Sequence, residues 1–163
     1  MKKLLLISLA LALSFGAFAQ TSGTGIGATV GTNINFSAKF WTGETTAFAA
    51  AIGLDYYSSY GGVNLTGDYL FHLWSFDIAQ DQMKVYFGPG IGLGFSSYSY
   101  NWYWDNNNYS RVWLTVRAPG GVGYYFHNMP LECFVEFAPG LDIFGPRGLR
   151  GRYRSYVGAR WYF

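Results

Sequence analysis

Cysteine occurs once in the 163 residues, as Cys133. A single thiol excludes an internal disulfide framework and a cysteine-rich zinc site. Charge is also scarce. Asp, Glu, Lys and Arg make up 12% of the chain, about half their share in an ordinary soluble domain. The formal net charge is only +2, so no basic surplus marks a nucleic-acid-binding surface. Several apolar runs of about 20 residues, as a polytopic helical membrane protein needs, are missing, and the mean hydropathy is just +0.09. Disorder is excluded by the opposite excess: aromatics reach 21%, where a disordered chain has few. The length suits one domain.

What is present begins with an amino-terminal leader. Met1, Lys2 and Lys3 precede an apolar stretch, Leu4 to Leu13, and Ala17-Phe18-Ala19 has the small-x-small form of a cleavage site. Residues 1–19 are therefore expected to be a secretory signal peptide and 20–163 the mature domain. Without Lys2 and Lys3 the mature chain carries nine basic and nine acidic residues.

No segment has sustained helical periodicity. Alternation with period 2 recurs instead, broken by clusters of turn-forming residues. The pattern predicts eight strands: 24–31, 34–42, 46–57, 63–75, 84–98, 109–126, 131–145 and 152–163. In the last, Tyr153, Ser155, Val157, Ala159, Trp161 and Phe163 share one face, and Arg152, Arg154, Tyr156, Gly158, Arg160 and Tyr162 the other. Strand seven sets Leu131, Cys133, Val135 and Phe137 against Glu132, Phe134, Glu136 and Ala138. Wherever a predicted strand has more than one charge, all its charges fall on one face, as the two-residue strand period requires.

An apolar strand face can pack in a core or touch lipid. Here the polar face mixes charge with Gly and Ser, which suits a crowded lumen better than a solvated surface. Tyr and Trp are abundant, as interfacial aromatic girdles require. The last strand ends on Trp161, Tyr162 and Phe163. The expectation is an all-β, eight-stranded antiparallel up-and-down transmembrane barrel, an allowed even number, with both termini on the periplasmic side.

Several segments carry a resemblance. Leu65-Thr66-Gly67-Asp68-Tyr69-Leu70-Phe71-His72, Tyr86-Phe87-Gly88-Pro89-Gly90-Ile91-Gly92, Arg117-Ala118-Pro119-Gly120-Gly121-Val122-Gly123-Tyr124-Tyr125-Phe126, Leu131-Glu132-Cys133-Phe134-Val135-Glu136-Phe137-Ala138-Pro139 and Gly158-Ala159-Arg160-Trp161-Tyr162-Phe163 resemble a family of small bacterial outer-membrane β-barrel proteins similar to the OmpA transmembrane domain and OmpX. The resemblance covers roughly 60–163. It implies a barrel fold and an outer-membrane location reached by export, and it carries over no catalytic residue.

The candidate site residues follow from the faces. Lys39, Asp68, His72, Arg117, Glu132, Glu136, Asp142, Arg154 and Arg160 are expected to form a lumen polar network. For strands seven and eight a turn centred near Gly148 predicts Glu136 opposite Arg160 and Asp142 opposite Arg154, with Arg117 reaching Asp142. Tyr98, Tyr100, Trp102, Tyr103 and Trp104 lie in the longest connection and are candidate surface contacts, since Tyr, Trp, Ser and Asn make an adaptable binding surface; they can equally continue the hairpin as a girdle. Trp161, Tyr162 and Phe163 are the expected assembly signal. Pro89, Pro119 and Pro139, each followed by Gly, are expected to bulge or bend their strands.

The alternating glycines from Gly88 to Gly94 are not a nucleotide loop, because no helix follows them. Asp68 and His72 share a face but lie about 13 Å apart along a strand, too far to form one metal site or catalytic pair. No cofactor or metal is expected. The expected partners are outer-membrane lipid, the barrel-assembly machinery during biogenesis and an unidentified extracellular ligand, with no nucleic acid. The role expected is non-enzymatic, structural or adhesin-like, around a lumen filled by side chains. The alternative is an outer-leaflet lipid-modifying enzyme or a small-ligand-binding barrel.

Overall fold

A computed structural model describes residues 23–55, 62–102, 105–145 and 148–163, and of residues 55, 97–102 and 105–111 it describes the backbone. The leader, 1–19, lies outside the described residues. Ten strands follow one another: β1 (Thr24–Gly31), β2 (Ile34–Trp41), β3 (Thr46–Asp55), β4 (Gly62–Ile78), β5 (Asp81–Phe87), β6 (Gly90–Trp102), β7 (Asp105–Arg117), β8 (Gly120–Tyr125), β9 (Leu131–Phe144) and β10 (Arg150–Tyr162). All pair antiparallel, and β10 pairs with β1 to close the ring.

Ten strands stand where eight were expected. β5 and β6 both pair with β4, and β8 and β7 both pair with β9. The ring thus has eight positions, two of them filled by consecutive segments, and is not a regular eight-stranded barrel. The interruptions fall at Gly88-Pro89 and Ala118-Pro119, where proline lacks the N–H that a ladder requires. The proline carbonyls keep the strands together. Tyr69 N donates to Pro89 O, Gly88 N to Pro119 O and Ala118 N to Pro139 O, each at 2.9 Å. The register between β5 and β8 continues unchanged between β6 and β7. Pro139 stays inside β9, opposite Tyr153, with no shift. The expected proline bulges are therefore absent at all three sites.

Bulges occur elsewhere. Between His72 and Trp74 the β4–β5 ladder skips Leu73, and between Leu114 and Thr115 the β7–β9 ladder skips Ile143. The first matters for polarity. Up to Leu73 the odd residues of β4 face outward. Beyond it Trp74 and Phe76 stand opposite Val85 and Met83, on the outer face of the hairpin. Ala79, in the turn that follows, holds φ at 57°, a left-handed conformation costing a non-glycine residue roughly 1–2 kcal/mol.

The ring is staggered. From Ile26 the pairings run to Ala38, Ala50, Gly67, Ile91, Val116, Leu141 and Gly151. Ile26 itself pairs on its other side with Trp161, ten residues along β10 from Gly151. Such a shear tilts the strands steeply, and an eight-position ring then encloses only enough space for side chains. Large apolar side chains such as Ile34, Phe36, Ile52, Leu65, Ile91, Val135 and Val157 lie exposed on the outside, while charged and amide side chains are buried within.

Candidate functional site in the barrel lumen

The strand period explains the lumen wall. Opposed residues of neighbouring strands share a face, so the polar set of each strand meets the polar sets of its neighbours. Lys39, Asp68, His72, Arg117, Glu132, Glu136, Asp142, Arg154 and Arg160 are all buried. All but His72 and Arg154 fall into three groups along the lumen.

The first group centres on Glu132. Its Oε1 accepts from Lys39 Nζ at 3.0 Å and Tyr125 OH at 2.9 Å, and its Oε2 from Tyr162 OH at 2.6 Å and Arg160 Nη1 at 3.4 Å. A carboxylate has about four acceptor positions, so Glu132 is saturated. Arg160 also donates twice to Ser37 Oγ, at 3.0 and 2.9 Å, and lies 3.8 Å over the Phe134 ring. In the second group Arg117 bridges two carboxylates. Its Nη2 donates to Glu136 Oε1 at 2.7 Å, and its Nε lies 3.0 Å from Asp68 Oδ1. Tyr86 OH donates to the other oxygen of Glu136 at 3.2 Å. In the third group Asp142 accepts from Thr115 Oγ1 at 2.5 Å and from Arg152 Nη2 at 2.8 Å.

The register differs from the expected one. Arg160 pairs with Glu132, Tyr156 with Glu136, Arg154 with Ala138 and Arg150 with Asp142. Neither predicted pair forms, and Arg117 reaches Glu136 rather than Asp142. The ladder centres the β9–β10 turn two residues before Gly148. The error is an even number of residues, so it changes partners without changing faces.

Lys84 and Arg152 belong to this wall but were not among the predicted network residues, although both sit on the polar parity. The tyrosines of the polar parity line the same wall. Tyr86, Tyr125, Tyr156 and Tyr162 are buried in the lumen, as their place on the polar face of each strand predicts. Tyr162, part of the expected assembly signal, points inward to Glu132, while Phe163 is exposed and its backbone N donates to Thr24 O. Trp161 is half-buried. Tyr98, Tyr100 and Trp102 lie on β6, whose ladder with β7 continues to Trp102 opposite Asp105, so the expected loop is an extended hairpin. Tyr103 and Trp104 lie outside the described residues.

The glycines of β6 make room for this network. An added Cβ at Gly94 would overlap the indole of Trp113, its cross-strand partner, and one at Gly90 would overlap the Asp68 carboxylate. In the lumen lies a cavity of about 20 Å³ lined by Thr29, Asn35, Ser37, Asp68 and Arg117 among others. That is room for one or two waters. Among the described residues no three His, Cys, Asp or Glu side chains converge as metal ligands would.

These features define an all-β antiparallel barrel with an apolar exterior and a charged interior, the architecture of OmpA-like β-barrels. Among solved structures, the chain is similar to the N-terminal β-barrel domain of Pseudomonas aeruginosa OprF, with a TM-score of 0.60 over 86% of this chain and 95% of that one, at 13% identity. No family model and no curated protein matches the sequence.

Proposed function

We propose that the chain is an integral barrel of the bacterial outer membrane, exported by its amino-terminal segment and serving a non-enzymatic structural or surface-contact role. The observation that carries this reading is the inverted polarity. Exposed Phe36, Ile52, Ile91 and Val135 surround buried Lys39, Glu132 and Arg160, an order that water disfavours and a bilayer favours. The OprF likeness supports the same location. In this reading the termini and the short turns face the periplasm, and the β6–β7 hairpin faces outward. Buried Arg117, Arg160, Tyr86 and Tyr156 fill the lumen against solute passage. His72, the lumen histidine, is tied through Nδ1 to Thr45 O at 3.2 Å near the β2–β3 turn, far from an outer-leaflet substrate.

The test is refolding of residues 20–163 into vesicles. Brominated acyl chains should quench tryptophan fluorescence, and the folded band should migrate differently from the boiled one. Planar bilayers should show no stable large conductance. Absence of quenching, or a stable large pore, overturns the reading. Deleting Tyr100 to Asn108 should leave the barrel folded and abolish partner binding in a screen against lipids, glycans and host proteins. A lipid A acyl pattern that changes on gene loss and is not restored by His72→Ala would favour a lipid-modifying enzyme instead.

A further inference from the structure

The first lumen group holds more positive charge than it can neutralise. Lys39, Lys84 and Arg160 gather at the end carrying the β2–β3, β4–β5 and β8–β9 turns. Glu132 is the carboxylate among them, and its acceptor positions are filled by Lys39, Arg160, Tyr125 and Tyr162. Lys84 is only 6% exposed. Glu132 is the carboxylate whose charge acts on it, but among the described residues its Nζ makes no ion pair or hydrogen bond of its own. Its Nζ rests on aromatic faces, 4.9 Å from the centroid of Trp41 and 5.6 Å from that of Tyr125. Asp77, on the inward side of the same hairpin, accepts from Gln82 Nε2 at 3.1 Å instead. A second polar group is left over beside it. The ring of His72 lies 4.4 Å from that of Trp41. A carbonyl can only accept, so Nδ1 carries the proton shared with Thr45 O. Nε2 of His72 is buried without a partner.

Three cations around one saturated carboxylate leave a surplus of positive charge, which is costly inside a barrel unless an anion reaches it. We propose that this end of the lumen is a binding site for a small oxyanion, a carboxylate or a phosphate group. Lys84 forms the ion pair, Trp41 and Tyr125 form the floor, and His72 Nε2, an acceptor in this tautomer, is open to a hydroxyl of the bound group. The site is defined by the barrel alone. Only its assignment to the periplasmic side rests on the membrane reading.

The experiment uses residues 20–163 folded in detergent micelles, following the Trp41 indole N–H resonance, assigned with Trp41→Phe. Inorganic phosphate and acetate are titrated separately at pH 7, with chloride at matched ionic strength as the control. A saturable shift with either oxyanion is expected, and the one that binds tells phosphate from carboxylate recognition. Lys84→Met should weaken it by about tenfold or more, as loss of a charge-assisted hydrogen bond does. Lys84→Arg should retain it, as should Arg150→Gln at the other end. No saturable shift with either anion, an equal shift with chloride, or an unchanged response in Lys84→Met overturns the proposal. If Lys84→Met does not fold, judged by heat-modifiable mobility, Lys84→Gln takes its place and must lose the response that Lys84→Arg keeps. Micelle folding is scored independently of vesicle insertion, so failure of the site and failure of the membrane reading are separate results.

Discussion

Arg160 stands directly opposite Glu132 across β9 and β10, and the two are joined by Lys39 on the same carboxylate. Lys39 and Glu132 are both fully buried. Removing the anion strands two cations, so Glu132→Gln should lower stability by about 3–5 kcal/mol. Adding Lys39→Met should recover part of that loss, because one stranded cation disappears. Urea unfolding of the two single variants and the double variant checks this. Additive losses would show that the groups do not interact.

The register can be read with the native thiol. Cys133 pairs with Ala159, and opposed Cβ atoms lie about 4.5–5.5 Å apart. Oxidation of Ala159→Cys should therefore close a disulfide to Cys133. Phe163→Cys, which the turn centre at Gly148 would have placed opposite Cys133, should leave both thiols free. Intact mass before and after reduction decides. Crosslinking of the second variant alone would contradict the ladder.

Two glycines on one face of β6 should respond differently. At Gly94 an added methyl meets the Trp113 indole, on whose face Arg152 lies 5.1 Å away. At Gly92 the nearest side chains, Thr66 and Thr115, stand at an ordinary 3.6 Å. Gly94→Ala should destabilise by about 1–3 kcal/mol through overpacking and change tryptophan fluorescence, and Gly92→Ala should do neither. Equal effects on unfolding would mean that the Trp113 contact is not what constrains Gly94.

Asp81, at the tip of the β4–β5 hairpin, accepts from His127 N at 2.7 Å and from Tyr124 OH at 2.6 Å. The His127 N–H first, and the Tyr124 hydroxyl second, hold its carboxyl below the usual carboxylate range. A lowered folded-state pKa gives stability that is present above the unfolded value and lost as the pH falls through the folded one. Wild type should therefore exceed Asp81→Asn in stability at neutral pH, and the gap should close in acid. Unfolding curves across that range test it, and a gap independent of pH would assign the difference to something other than the ionised carboxylate.

The faces of the strands were legible because period-2 alternation is a local property. Lys39, Glu132 and Arg160 could be placed inward from their immediate neighbours alone. Partners were not legible. Which residue meets Arg160 depends on where the β9–β10 turn is centred, and no side chain near it announces that position. The interruptions at Pro89 and Pro119 were sited correctly, but their kind was misjudged. Proline withholds a donor without displacing the chain, so the carbonyls carry the ladder past it. The bulge at Leu73 left no mark in the pattern, because Leu73 and Trp74 are both apolar and both outward. Lys84 stood on the polar parity throughout. That it makes no ion pair of its own became visible only when Glu132 was seen to be filled.

That extra residue at Leu73 also marks where this barrel can tolerate a change in chain length. His72 opposes Tyr86 and Trp74 opposes Val85, with nothing opposite Leu73. Deleting Leu73 would leave every other pairing of β4 intact and every other side chain on its present face. Deleting a paired neighbour such as Leu70 would turn the residues between it and the bulge inside out. Variation in length within this strand, whether arising in evolution or introduced by design, should therefore accumulate at Leu73 and be purged a few residues away.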